Sequence, residues 1–419
     1  MSKFTLIPLG DLAEFINGDR GKNYPSKSDF VEYGIPFINA GHLSSGEIDF
    51  SEMNYISEDR FRKIGSGKTK PNDILYCLRG SLGKTAIVRH NGDAAIASSL
   101  VIIRPLENCC GKYLYHYLIS PLGKTEIQKF DNGTSQPNLS ATSVKKYQIP
   151  LPPLPEQKRI AEVLDKADAL REKRRLALQK LDTLLQSVFH EMFGDPVRNP
   201  KGWDVENFGN LCSEIYRYPT YYGIEYVERG VPEIRGELIL KNGEIDNNNE
   251  KLRFISKETS DKFSRTVLQA GDLVLSVRGT IGKIGFVDKS LEGANITANV
   301  IRVSPNRTKV NPRYFWQICR NEHFQRKLQE ISSSTTIQTI KSPDLKAIKV
   351  LLPPFELQEL FEQVYRRWKI LQNSIELSAK HTESLFQTFQ QRAFKGELFS
   401  DKSVSVVSQE DVWQQTSPS

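Results

Sequence analysis

Two stretches of the sequence share one pattern. "LYCLRGSLGKTAIV" occupies residues 75–88, and "LVLSVRGTIGKIGFV" occupies residues 273–287. Each has an apolar run of strand length, then Arg-Gly, a residue with a small hydroxyl group, and Gly-Lys. One chain that carries this pattern twice indicates an internal repeat.

The repeat extends outward from these stretches in the same order. "YGIPFINAGHL" (33–43) matches "RGVPEIRGELI" (229–239), "IASSLVIIRP" (96–105) matches "ITANVIRVSP" (296–305), and "IPLPPLPEQKRI" (149–160) matches "VLLPPFELQELF" (350–361). A repeat of this length is too long for a solenoid or a propeller. Within each copy, short apolar runs bounded by Gly, Pro, Asn and Asp predict strands, and short helices are expected to follow them at 111–120 in the first copy and at 311–330 in the second. Each copy is therefore a mixed α+β domain with an appendage.

The appendage is predicted to be a long helix in both copies. Apolar residues recur at heptad spacing, at Ile160, Val163, Ala167, Leu170, Ala177, Leu181, Leu184 and Val188 in the first, and at Phe361, Val364, Trp368, Leu371, Ile375, Leu385 and Phe389 in the second. This spacing favours coiled-coil packing over two amphipathic helices that are buried on separate cores. A pseudo-two-fold axis would make the two helices antiparallel.

These patterns predict one architecture, of α+β class. Two pseudo-two-fold-related mixed α/β domains, residues 1–152 and 196–353, are separated by an antiparallel pair of long coiled-coil helices, residues 153–195 and 354–399. Residues 400–419 are polar and without pattern, which predicts a disordered tail.

Composition narrows the class of protein. The chain of 419 residues has 57 Lys and Arg against 50 Asp and Glu, a net charge of +7, which permits a polyanionic partner. Five cysteines without a C-x-x-C pair suggest a reducing, cytoplasmic setting. The N-terminus lacks the apolar core of a signal peptide, and no run has the length of a membrane span.

Several motifs suggest catalysis but are incomplete. Three Gly-Lys-Thr strings, at 67–69, 83–85 and 123–125, lack the glycine that a phosphate-binding P-loop needs five residues earlier. "LLPPFE" (351–356) has Leu352 where a DNA methyltransferase loop needs an amide or a carboxylate, and the six histidines form no metal-ligand pattern. The sequence therefore predicts a chain without a catalytic site, cofactor or metal.

The repeat and its motifs resemble the specificity subunits of type I restriction-modification systems. The resemblance spans about residues 5–398 and rests on "LRGSLGK", "VRGTIGK", "GTSQPNLS" (133–140), "MFGDPVRNPKGW" (192–203) and "FQQRAFKGEL" (389–398). It implies two target recognition domains, each followed by a conserved helical region, that direct methylation and restriction to a bipartite, non-palindromic DNA sequence. It also implies two methyltransferase partner subunits, which supply methylation, and restriction subunits in the full complex.

The residue types of the repeated loops suggest how the DNA would be bound. Arg79, Lys84, Arg278 and Lys283 can neutralise phosphates, while Gly80 and Gly279 allow close approach of the backbone. Gln136 and Asn138 can pair with adenine edges. The remaining predicted DNA-binding residues are the hydroxyl and amide residues Ser81, Thr134, Ser135, Thr280, Thr335, Thr336 and Gln338. The alternative for the two Arg-Gly loops is a tight turn with solvated charges, and the alternative for "GTSQPNLS" is a polar turn that closes the domain.

Two other functions fit parts of the sequence. A fragment of a fused modification-restriction enzyme would carry a methyltransferase loop, and a coiled-coil adaptor would not bind DNA. A mobility-shift assay, with and without the methyltransferase subunit, separates the adaptor from a DNA-recognition subunit.

Overall fold

A computed structural model describes residues 2–130, 138–217, 224–278, 280–332 and 340–399. The tail that is expected to be disordered, 400–419, lies outside the described residues. The chain divides into two compact units: the first contains Met1–Leu176 and the chain from Glu376 onward, and the second contains Ala177–Ile375. Each unit thus combines one of the repeated domains with part of both long helices, whereas the domain boundaries given above remain a prediction.

The first repeat contains twelve strands in its described residues. They are β1 (Thr5–Pro8), β2 (Ala13–Asn17), β3 (Phe30–Val31), β4 (Ile35–Ile38), β5 (Leu43–Ser44), β6 (Glu47–Ile48), β7 (Tyr55–Ile56), β8 (Ile74–Cys77), β9 (Thr85–Ile87), β10 (Ala95–Ile96), β11 (Leu100–Pro105) and β12 (Gln148–Leu151). Its helices are α1 (Glu58–Lys63), α2 (Gly111–Ile119), α3 (Pro121–Phe130), α4 (Ala141–Lys145) and the long helix α5 (Leu154–Phe193).

The second repeat follows the same order. Its strands are β13 (Asp204–Asn207), β14 (Cys212–Arg217), β15 (Tyr226–Val227), β16 (Val231–Ile234), β17 (Arg253–Ile255), β18 (Leu273–Ser276), β19 (Ile284–Phe286), β20 (Asn295–Ile296), β21 (Val300–Pro305) and β22 (Lys349–Leu352). Its helices are α6 (Lys257–Lys262), α7 (Pro312–Arg320), α8 (Glu322–Ser332), α9 (Ser342–Ala347) and the long helix α10 (Phe355–Lys395).

Sheet topology confirms the duplication. An antiparallel sheet of order β2-β11-β8-β9 in the first repeat corresponds to β14-β21-β18-β19 in the second. A smaller sheet of order β3-β7-β4-β10 corresponds to β15-β17-β16-β20, and in both the last pair of strands is parallel. The first and last strands of each domain also pair with each other, β1 with β12 and β13 with β22. The predicted α+β class with two repeated domains is therefore confirmed.

The long helices are antiparallel in both units. In the first unit, Arg174 Nη1 donates to the Ser378 carbonyl at 3.5 Å, and Arg171 Nη1 approaches Glu383 at 3.3 Å. In the second unit, Trp368 Nε1 donates to the Leu181 carbonyl at 2.9 Å, and the rings of Phe189 and Phe361 lie 5.0 Å apart. In both units, residues later in α5 contact residues earlier in α10, as antiparallel helices require.

The predicted heptad seam is wrong at several positions. Ile160, Leu181 and Phe361 are buried as expected. Four leucines of the seam are instead exposed, namely Leu170, Leu184, Leu371 and Leu385. Other apolar residues of the two helices, which the heptad assignment left out, are buried instead, including Leu164, Leu185, Tyr365 and Phe386. The reason is that each helix also packs on a globular core, which shifts its buried face away from a strict seam.

A buried glutamine ties the start of each long helix to its domain. Gln157 accepts from the Cys110 N–H at 2.8 Å and donates to the Pro152 carbonyl at 2.9 Å. Gln358 makes the equivalent pair of bonds, with the Asn311 N–H and the Pro353 carbonyl. Because buried backbone groups need partners, these amides fix where each helix leaves the domain.

Each repeat also buries one ion pair in its main sheet. In the first, Arg104 Nε donates to Asp73 at 2.8 Å, and in the second, Arg302 Nε donates to Asp272 at 2.7 Å. Both carboxylates also accept from the backbone three residues earlier, at Lys70 and Gln269. Neither pair was predicted from the sequence.

Candidate nucleic-acid interface

The first Arg-Gly loop, residues 78–84, connects β8 to β9. The Cys77 N–H donates to the Lys84 carbonyl at 2.9 Å, and the Gly83 N–H donates back to the Cys77 carbonyl at 3.0 Å. These bonds close a tight turn that leaves Arg79, Gly80 and Ser81 exposed. Gly80 has a φ of +78°, and a Cβ built there would meet no described atom within 4 Å. The turn therefore requires glycine while its outer side stays open to a ligand.

Asn138 lies beside this loop. It forms an antiparallel bridge with Arg79, and the next residue, Leu139, donates its N–H to the Leu78 carbonyl at 2.8 Å. Leu139 is buried, so that its exposed neighbour Asn138 is held next to Arg79. Two predicted DNA-binding segments, far apart in the sequence, are thus brought together.

Lys84, which was predicted to bind DNA, directs its side chain away from the open side of the first loop. Its Nζ donates to the Ala40 carbonyl at 3.0 Å, and the side chain is half-buried. Lysine has three donors, so that this bond leaves two for another acceptor.

The second Arg-Gly loop, residues 277–283, has the same turn. The Ser276 N–H donates to the Lys283 carbonyl and the Gly282 N–H donates to the Ser276 carbonyl, both at 3.0 Å. The Ser276 hydroxyl adds a bond to the Thr280 carbonyl at 2.6 Å. Arg278 and Thr280 are exposed at the same places as Arg79 and Ser81.

Three residues predicted for the second loop line one cavity. Arg278, Thr280 and Lys283 face a cavity of about 650 Å³ whose lining includes two further arginines, Arg235 and Arg253. Four basic side chains against two carboxylates, Glu233 and Glu237, leave the lining net positive, which suits a polyanion. Arg235 and Arg253 were not predicted from the sequence, because they lie on or beside strands of the smaller sheet and belong to no local motif.

Seven predicted residues lie outside the described part of the chain. They are Thr134, Ser135 and Gln136 of the first repeat and Gly279, Thr335, Thr336 and Gln338 of the second. The DNA-contact role of every predicted residue stays a prediction.

The described residues show no grouping of three or more His, Cys, Asp or Glu side chains that could hold a metal ion. Among the described helices, none combines the length and the apolar character needed to cross a membrane.

The family of the chain follows from its two matching repeats. A family model described as "Type I restriction modification DNA specificity domain" matches residues 1–180 and 209–385. The chain belongs to this family.

Individual proteins agree with the family match. The putative type I restriction enzyme MjaX specificity subunit of Methanocaldococcus jannaschii is 24% identical over 90% of this chain and 88% of its own length. The type I restriction enzyme EcoBI specificity subunit of Escherichia coli is 25% identical over 94% of this chain and 85% of its own. The crystal structure of a type I restriction-modification S subunit from M. genitalium, at 15% identity, has a TM-score of 0.59 and covers 94% of this chain and 96% of that one.

Proposed function

We propose that this chain is the DNA-recognition subunit of a type I restriction-modification complex and that it reads a bipartite, non-palindromic target. The observation that carries the proposal is the pair of equivalent Arg-Gly loops, each displaying an exposed arginine from the same turn on two domains of different sequence. Equivalent loops support a common mode of binding to the DNA backbone. Different domain sequences support two different half-sites.

The catalytic steps are assigned to partner subunits. The family match, together with the absence from the sequence of complete nucleotide-binding and methyltransferase motifs, supports a chain that selects DNA without modifying it. Purified chain that methylates or cleaves DNA, or hydrolyses ATP, without partners would contradict this assignment.

The arginine loops provide the test of DNA binding. Arg278→Ala is expected to weaken binding to all duplexes about equally, because a phosphate contact carries no sequence information. The slope of log K against log salt is expected to flatten by about one unit. Asn138→Ala is instead expected to cost about 1–3 kcal/mol at one base pair of the first half-site. Fluorescence anisotropy on a panel of duplexes, with the complete complex, measures both effects.

The control for the lost charge is Arg175→Ala, which removes an exposed arginine from helix α5. Sequence-dependent loss for Arg278→Ala, or an unchanged salt slope, would remove Arg278 from the phosphate contacts.

The chain also scaffolds two methyltransferase subunits, one for each repeat, and through them the restriction subunits. Support comes from large apolar side chains that are exposed on the long helices: Leu170, Leu176, Leu184, Leu360, Ile370, Leu371, Leu377 and Leu385. An exposed apolar side chain loses its contact with water when another protein covers it, which favours such an interface.

Ile370 has the largest exposed fraction of these side chains, 71%, and its substitution therefore tests the proposed binding of the methyltransferase subunits. Ile370→Asp is expected to weaken methyltransferase binding by about tenfold or more, because a charge replaces an apolar contact. Thermal unfolding of the chain alone should not change. Gln363→Asp, at an exposed polar position of the same helix, is the control. If both variants bind the methyltransferase as tightly as the unaltered chain does, Ile370 lies outside the interface.

A further inference from the structure

Two register-equivalent positions differ in character between the smaller sheets of the repeats. In the second repeat, Tyr226 pairs with Ile255 and Glu233 pairs with Arg253 across neighbouring strands. In the first repeat, Phe30 pairs with Ile56, which places it where Tyr226 lies. Phe37 pairs with Ala95 as Glu233 pairs with Asn295. The first repeat therefore has two phenylalanines where the second has a tyrosine and a glutamate.

The phenylalanine pair is ordinary apolar packing. The rings of Phe30 and Phe37 lie 6.0 Å apart, and Tyr24 packs against Phe37 at 5.7 Å. The sheet is thus built in the first repeat without a polar group at either position. It follows that the fold does not require the tyrosine and the glutamate of the second repeat.

The tyrosine and the glutamate form a hydrogen bond. The Tyr226 hydroxyl donates to Glu233 Oε2 at 3.1 Å. Glu233 is 1% exposed, and burial raises the pKa of its carboxyl above the ordinary value, although Tyr226, Arg235 and Arg253 act in the opposite direction. The salt bridge of the neighbouring Arg235 goes to Glu237 and not to Glu233. A buried carboxylate with so few partners is costly to the fold, and a cost of this kind is typical of a functional group.

Both side chains line the cavity that contains Arg278, Thr280 and Lys283. Tyr226 is 51% exposed, so that its ring is accessible from the cavity while Glu233 lies beneath it. Arg253 lies 5.5 Å from the centre of the Tyr226 ring. The cavity thus offers positive charge for phosphates together with one oriented phenol.

The direction of the hydrogen bond decides what the phenol can recognise. A hydroxyl has one proton and two lone pairs. The proton is directed to Glu233, and Arg253 is a second hydrogen-bond partner of the phenol, so that one lone pair of the oxygen is left to accept from a ligand in the cavity. In the major groove, cytosine and adenine present amino donors, whereas thymine and guanine present carbonyl acceptors at the corresponding places.

We propose that the Tyr226 hydroxyl, oriented by Glu233, accepts a hydrogen bond from the exocyclic amino group of a cytosine or an adenine in the half-site that the second domain reads. Tyr226 contacts the base, and Glu233 is a positioning residue that acts through it. This inference rests on the DNA-recognition function proposed above.

The test uses the complex of the chain with its methyltransferase subunits. The probes are duplexes that carry the methylated motif of the complex, with each base pair of the second half-site changed in turn from cytosine to thymine or from adenine to guanine. For the unaltered complex, one such change is expected to weaken binding by about tenfold or more. A second duplex carries, at that position, the original base without its amino group. It should bind as weakly as the duplex with thymine or guanine there.

Two variants separate the contact from its positioning. Glu233→Gln is expected to reduce that discrimination to about twofold, because a glutamine amide can accept from the tyrosine hydroxyl or donate to it and so no longer fixes its proton. Tyr226→Phe should bind the duplexes with and without the amino group equally. The control is Glu228→Gln, which removes an exposed carboxylate that is not part of the cavity lining and should keep the discrimination. Thermal unfolding confirms that each variant is folded.

A folded Glu233→Gln complex that keeps the full discrimination at every position overturns the inference. The inference is also overturned if Glu233→Gln alters the discrimination in the other half-site, or if it weakens binding to all duplexes equally. These outcomes leave the proposed function in place. An unaltered complex that binds every duplex equally would instead reject the DNA-recognition function itself.

Discussion

Replacing Asp272 with alanine is expected to lower the free energy of unfolding of the second domain by about 3–5 kcal/mol. Arg302 is buried, and this change removes the carboxylate that lies 2.7 Å from its Nε. The Gln269 N–H loses its acceptor as well. Glu214, 3.6 Å from Arg302 Nη1, keeps part of the charge compensation, so that the loss is expected at the lower end of this range. Hydrogen exchange of the β18 and β21 amides is the measurement, since Asp272 directly precedes β18 and Arg302 lies in β21.

The matched control is an exposed ion pair. Glu258 and Lys262 are four residues apart on helix α6 and both are exposed, so that Glu258→Ala should change the free energy of unfolding by less than about 0.5 kcal/mol. Asp73→Ala should destabilise the first domain by less than Asp272→Ala destabilises the second, because the side chain of Arg104 is 22% exposed to water whereas that of Arg302 is 7% exposed. Equal small effects of the buried and exposed changes would show that the buried pair is not a determinant of stability.

Replacing residues 1–152 with the corresponding domain of another specificity subunit is expected to convert one half of the methylated sequence completely and to leave the other half unchanged. The reason is that each domain has its own pair of sheets and its own core. Each is also closed by pairing of its first and last strands. Long-read sequencing of methylated host DNA measures both halves at once.

The reciprocal exchange of residues 196–353 should convert only the other half. If either exchange alters both half-sites in a folded, active complex, the two domains do not read DNA independently, and the bipartite proposal fails.

The repeat made much of the fold predictable, because matched strand runs, the Pro-Pro turns and the long heptad stretches depend on local patterns. The helix seam was less predictable. Leu184 and Leu385 have the spacing of seam residues, yet both are exposed. Periodicity gives the apolar residues of a helix but not which of them face a partner helix, a domain or another protein.

Some residues of the candidate site could likewise be predicted from the sequence, and others could not. Arg79 and Arg278 stand out in the sequence because their motif is repeated, and the structure displays both in equivalent turns. Glu233 has no motif at all, and its signal is a difference: "VPEIR" has an acidic residue where "IPFIN" has Phe37. Such a difference gains meaning once the strand register shows which positions are equivalent. The bridge between Arg79 and Asn138 depends on tertiary folding, so that no local pattern predicts it.

The discontinuity of the first unit has a consequence for biosynthesis. Phe394, near the end of α10, is fully buried and contacts Tyr113 and Tyr117 of the first domain. The first domain therefore emerges from the ribosome before the residues that complete its core have been synthesised. At about 5–20 residues per second, that domain waits on the order of ten to fifty seconds for them. The second unit is continuous from Ala177 to Ile375 and faces no such delay.

During this interval the nascent chain exposes an aromatic surface around Tyr113 and Tyr117, which makes it a substrate for chaperones. A chain that stops at Ile375 should remain in this state, binding a hydrophobic dye through the first unit while the second unit is protected from proteolysis. Equal protease resistance of both units in that truncated chain would contradict this order of folding. Translation speed along the second half of the message therefore sets how long the first half is at risk of aggregation.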